Sequence, residues 1–169
     1  MSLTNIINLL VLELHNKFLI PVVQIEQVSE KPAYPFLGYK IITSNIKESG
    51  QKIIINELIP STDINFTSDI KQTATEQIKF TVSFSAYCTT QMAAVELSTL
   101  VKNFIEFEMY LDLKDVGAVI YNIAAIGDRT ILLSNEYEYR YGFDVIIKMI
   151  NTSTRVIKTV EQIIINMGE

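Results

Sequence analysis

The sequence predicts an α+β fold, a mainly antiparallel, hairpin-built sheet with helices packed on one side. Three observations carry this. Residues 78–86 and 137–149 alternate strictly between apolar and polar side chains, the period of a half-buried strand. Apolar residues recur at helical spacing over 5–18 and again after Thr90, the signature of amphipathic helices. The chain also holds 26 isoleucines, more than two helices need, so most belong on strands.

In chain order, Ile6, Leu9, Leu10, Leu14 and Phe18 form the apolar stripe of a first helix, with Ser2 or Thr4 as its cap. Pro21 stops it, and Val23 and Ile25 alternate with Gln24 and Glu26 in a strand over 22–28. The prolines of 31–35 make a turn. Residues 36–44 and 52–59 are aromatic and β-branched strands, expected to pair as a protruding hairpin near 36–60 through a turn at 45–51. Residues 60–69, rich in Ser, Thr, Asp and Asn, form a surface loop that precedes the strand 78–86.

Thr89 or Thr90 then caps a second helix whose apolar face is Met92, Val95, Leu97, Leu100, Val101 and Phe104. A short connection through Asp112 and Asp115 leads into an apolar strand, interrupted by a bulge or corner at Gly127-Asp128-Arg129. Ser134-Asn135 turns the chain back into the alternating strand 137–149. The tail beyond Arg155 fits a helix or a strand, and its isoleucines favour a strand. A length of 169 residues predicts one domain over 1–150, with 151–169 as a C-terminal extension of it.

Composition narrows the function. The net charge is −5 and the 14 Lys and Arg are scattered, which argues against a phosphate-tracking groove and so against specific nucleic-acid binding. A single cysteine, Cys88, makes no intramolecular disulfide and implies synthesis in a reducing cytoplasm. No apolar run approaches the ~18 residues that cross a bilayer, and Met1–Thr4 lacks a basic leader. The expectation is a soluble protein with no membrane partner.

Catalytic chemistry finds little support. His15 is the sole histidine, and phosphate-binding glycine loops, zinc-protease and esterase motifs are missing. Cys88 continues the inward parity of 78–86, the position of a small buried hydrophobe. Glu136 and Glu138 share a strand face as an acid/base couple would, although a solvated strand edge is the commoner meaning of such a pair. The expectation is no enzyme, no cofactor and no metal.

Surfaces for association remain. Tyr137, Tyr139, Tyr141 and Phe143 interleave with Glu136, Glu138, Arg140 and Asp144 on one strand, more aromatic surface than a small core takes from one strand. Ile53, Ile54 and Ile55 are consecutive, so isoleucine lies on both faces of their strand and both need cover.

Four segments, Tyr34-Pro35-Phe36-Leu37-Gly38-Tyr39-Lys40-Ile41, Thr75-Glu76-Gln77 running into the strand to Tyr87, Asp128-Arg129-Thr130, and Glu136-Tyr137-Glu138-Tyr139-Arg140-Tyr141-Gly142-Phe143-Asp144, together resemble the phage neck or tail terminator family of tailed bacteriophages and phage-tail-like particles. The resemblance spans about residues 4–150. It implies a hexameric ring at the head-proximal end of the tail, made in the bacterial host cytoplasm. Its partners would be the tail tube protein, a sheath protein if the tail is contractile, and a head-tail connector if a head is present. Another head-tail joining protein or a tail tube protein is the alternative. On this reading Arg129, Glu136, Glu138, Tyr139, Arg140 and Tyr141, then Ile53, Ile55 and Glu57, are the expected subunit or tube contacts, and Arg140→Glu is expected to weaken assembly while sparing the fold.

Overall fold

Ser2 caps the first helix, accepting from the Asn5 amide at 3.3 Å, and Leu19 ends it in the left-handed region with φ 55°. In the computed structural model, which describes residues 2–26, 30–47, 50 and 52–158, the chain then continues as a mostly antiparallel α+β fold. Its elements are α1 (Leu3–Phe18), β1 (Val22–Gln24), β2 (Phe36–Lys47), β3 (Ile53–Pro60), β4 (Ser68–Cys88), α2 (Gln91–Asn103), a π-helical turn (Phe104–Glu108), α3 (Tyr110–Asp115), β5 (Ala118–Ile123), β6 (Gly127–Asp128), β7 (Ile131–Leu133) and β8 (Glu136–Lys158).

β4 and β8 pair in one unbroken antiparallel register from Asp69↔Lys158 to Cys88↔Tyr139. Strands β5, β6 and β7 follow one another along the outer side of β8, so the corner at Gly127-Asp128 interrupts one long edge, as expected. Along β4 the other edge is shared by β2 and β3.

The expected hairpin near 36–60 does not form. β2 pairs with residues 78–87 of β4, and β3 pairs with residues 68–75 of the same strand. Both run antiparallel to β4, so they lie end to end. The hairpin is instead β3–β4, turned by the polar loop 61–67. β1 adds to β2 in parallel, and of the expected strand 22–28, residues 27 and 28 lie outside the described residues.

The core lies on one face. Phe80, Val82, Phe84 and Ala86 of β4 with Phe143, Val145, Ile147 and Met149 of β8 are buried against Ile6, Leu10 and Leu14 of α1 and Val101, Phe104, Ile105, Met109 and Leu113. The connection expected through Asp112 and Asp115 is the third helix, whose Leu113 enters that core. Within α2 the buried side is Ala94, Ser98 and Val101, whereas Met92 and Leu100, expected inside, are exposed. The tail is strand through Lys158, and 159–169 lie outside the described residues.

Beyond the helices, β3, the first half of β4 and residues 150–158 of β8 continue as a three-stranded arm. Ile53 and Ile55 are each 60% exposed, and Ile54, Leu58 and Val156 are exposed with them. No residue of this arm belongs to the hydrophobic cluster packed on the helices, although Asp69 and Ala74 of its central strand are buried and Asp63 of the loop 61–67 reaches Lys158 at 3.7 Å. A core truncation and an arm truncation therefore separate in the isolated chain: Phe143→Ala should cost about 3–5 kcal/mol in chemical denaturation, and Ile53→Ala should stay within about 0.5 kcal/mol.

Candidate functional site

The motif over 136–144 divides by strand parity. Tyr139, Tyr141 and Phe143 point to the helix side, and Glu138, Arg140, Gly142 and Asp144 to the other face. On that second face Glu138 is 4% exposed. One of its oxygens takes Tyr34 Oη at 2.6 Å together with Lys31, and the other takes Arg140, whose Nε lies at 2.5 Å. Rings stack beside it: Tyr34 on Phe36, and Phe36 on Tyr87 with centroids 4.4 Å apart. Arg140 lies over Tyr87 and Lys31 over Tyr34, at 4.9 and 4.5 Å from the ring centroids.

One turn of the pleat away sits a second network. The Arg129 guanidinium donates to Ser83 Oγ (2.6 Å), Ser85 Oγ (2.9 Å), the Phe84 carbonyl (3.2 Å) and Asp144 Oδ1 (2.8 Å), and Ser83 Oγ donates to the same carboxylate oxygen. Gly142 makes room for it. A Cβ there would meet the Phe84 carbonyl oxygen at 2.3 Å and Arg129 Nη1 at 2.8 Å. Gly38 has the same role against Ile25 and Tyr87.

The corner that delivers Arg129 is built locally. The Asp128 carboxylate accepts from the Thr130 amide at 2.8 Å, and the hydrogen bonds from the Thr130 side chain and backbone hold it below the usual aspartate range. The Arg129 amide then donates to the Arg140 carbonyl at 2.8 Å. On the helix side, Tyr141 accepts from Gln91 Nε2 at 2.8 Å, and its carbonyl from Ser98 Oγ at 2.7 Å.

The expected contact residues thus fall into two groups. Glu138, Arg140 and Arg129 are committed within the chain, and Tyr139 and Tyr141 are half-buried. Glu136 is exposed, as are Ile53, Ile55 and Glu57 on the arm. Glu138 and Glu136 do not form an acid/base couple open to a substrate, because both oxygens of Glu138 already hold donors. Burial raises the Cys88 thiol and His15 donates Nδ1 to the Ile20 carbonyl at 2.8 Å. No group of His, Cys, Asp and Glu among the described residues is arranged to hold a metal.

Sequence reasoning did not find Lys31, Tyr34, Phe36 and Tyr87 as the partners of the motif. The signal was present in Tyr87, an aromatic residue at the wet parity of an alternating strand. It also missed the exposed apolar residues of the helical layer, Met92 and Leu100 of α2, Phe107 of the π-helical turn and Leu111 of α3, with Phe107 77% exposed.

The family model described as phage neck terminator protein matches residues 2–169. No curated protein matches the chain.

Two substitutions test the networks. Arg140→Glu places a second carboxylate beside buried Glu138, so, contrary to the expectation from sequence, it should lower folding stability by roughly 3 kcal/mol in urea titration. Gly142→Ala should cost about 1–3 kcal/mol from the forced contact, while Gly127→Ala, with nothing within 4 Å of the new atom, should leave the midpoint nearly unchanged.

Proposed function

Because the chain belongs to the phage neck terminator protein family, we propose that it forms a ring, hexameric in number, that caps the head-proximal end of a tail tube. The ring stops tube growth and anchors the head-tail connector or, in a contractile tail, the last sheath layer. Membership makes the chain a structural component of the phage virion. The hexameric ring, its place and its partners are what the family resemblance implies, and the exposed surfaces support a ring.

The observation that carries it is the bare arm. A single layer of three strands leaves apolar side chains on both faces without cover, and such a layer gains its stability only against another one. A cyclic ring supplies cover by a heterologous contact, in which one patch of each subunit meets a different patch of the next.

A terminator also needs an axial contact unlike its lateral one. Met92, Leu100, Phe107 and Leu111 are exposed on the helices, apart from the three strands of the arm, and exposed Glu96, Glu106 and Glu108 belong to the same helical segment. This segment suits a partner that is not another copy of the chain. A subunit that binds the tube end through one surface and presents a different one beyond it gives the next tube subunit no template. The networks around buried Glu138 and half-buried Arg129 serve this by tying the β7–β8 end to neighbouring segments.

Localisation on purified tails tests the reading. Gold-labelled antibody should mark one end only, opposite the baseplate, and host cells that lack the protein should accumulate tubes of uncontrolled length. Label along the shaft would make it a tube or sheath protein; label absent from every tail would remove the reading.

A further inference from the structure

The arm has two edges, and they are unlike. β3 and residues 150–158 of β8 flank β4, each antiparallel to it, and among the described residues neither pairs on its outer side. Both edge strands therefore run toward the loop 61–67 and are parallel to each other. Peptide groups along an unpaired edge are a template for another strand. The β3 edge has no proline before Pro60, its last residue, so its amides are free to pair along almost its whole length.

We propose that the occupant of each edge is a second copy of this chain: β3 of one subunit pairs in parallel with residues 151–158 of β8 of the next, and the arms close into one continuous β-barrel. This rests on the ring reading above and names the contact that holds the ring.

Direction selects this arrangement. Subunits related by rotation about an axis along the arms all point the same way, so β3 meets β8 in parallel and closure leaves no edge unpaired. A two-fold dimer joins like edges in antiparallel fashion and leaves one edge of every arm open.

Charge selects it as well. The only charged residue of β3 is Glu57, and the outer half of β8 carries Arg155 and Lys158 and no acid. The register places Glu57 and Lys158 on the same face of the arm, through the rows Glu57↔Lys71 and Asp69↔Lys158. Each has only a loose partner in its own chain, Lys71 at 3.6 Å and Asp63 at 3.7 Å. Pairing β3 with β8 brings opposite charges together; pairing β8 with β8 brings cations together. The same face sets Ile53 and Ile55 against Thr152 and Thr154, β-branched residues suited to cross-strand packing.

Cysteine cross-linking of the full chain on assembled tails tests this. Ile55→Cys or Glu57→Cys on β3 is combined with Thr154→Cys or Val156→Cys on β8, with buried Cys88 left in place. Within one arm β4 holds these positions about 9.6 Å apart, two strand spacings, too far for a disulfide. Under oxidation at least one combination should give a ladder of covalent multimers that ends at the ring's copy number, while each single variant stays monomeric. A Glu57→Cys variant that links to itself would show like edges meeting and overturn the proposal. So would tails that carry the protein at one end yet yield no cross-link from any combination, a result that leaves the ring reading standing. Tails without the protein at their end would overturn both. Glu57→Lys and Lys158→Glu should each lower the cross-linked fraction several-fold, and together restore it.

Discussion

Everything in this molecule is arranged around a strand pair that is longer than its core. β4 and β8, of 21 and 23 residues, stay in one register from end to end, yet the helices cover only part of that length. Hydrogen bonding does not distinguish the two parts, since both carry a complete ladder. Side-chain burial does. Where Phe80, Phe84, Phe143 and Ile147 meet α1, α2 and α3 the sheet is one wall of a core, and where Thr73, Thr75, Thr152 and Thr154 follow it is a bare ribbon. Composition changes at the same boundary, where large apolar residues on one parity give way to small β-branched and amide residues that tolerate water on both faces.

The second face of the core sheet is the other consequence of a one-sided design. With no helix layer there, burying charge is an expensive substitute for packing, and the structure limits the expense by saturating each ion. Glu138 holds Tyr34, Lys31 and Arg140, and Arg129 spreads its donors over Ser83, Ser85, Phe84 and Asp144. A Cβ at Gly142 would collide first with the Phe84 carbonyl oxygen and then with that guanidinium and the Ser85 hydroxyl. The motif that looked most like an interface is mainly a device for joining three distant segments, the stretch around Tyr34, the corner at Asp128 and the start of β8. What it offers a partner is rigidity at the tip, with Glu136 and Tyr137 left outside.

This division explains what could be read from sequence. Period-two alternation located the central strands and one-sided burial because it records which face meets the core. The corner at Gly127-Asp128 and the caps at Ser2 and Thr90 were legible because their causes are local. Pairing partners are not local. Residues 45–51 carry turn-forming types, and nothing in them says that β3 will continue along β4 and leave the turn to 61–67. Within α2 the small residues Ala94 and Ser98 join Val101 on the buried side, so equating apolar size with burial put Met92 and Leu100 inside, and the π-helical turn at Phe104–Glu108 shifts the helical phase beyond them and left α3 unread. Of the site, strand spacing alone placed Glu138 beside Arg140; the further partners of buried Glu138, Lys31 and Tyr34, lie far away in sequence.

A bare ribbon with isoleucine on both faces is also a hazard, because the features that suit it to a neighbour suit it to any exposed strand. The arm contains that hazard without a covering layer. Hydrogen bonds run across its middle from Asn56 through Gln72 to Arg155 on one face, and the ion pair of Glu57 with Lys71 crosses the other. These interrupt each apolar row with polar groups that an arbitrary strand would have to desolvate without replacement. Opposite charges on the two edges add direction, since a partner must present acid to one and base to the other. A second copy of the same arm, offered in the same orientation, meets that demand on both sides at once. On the proposed pairing, selectivity for self and protection against other strands come from the same few residues.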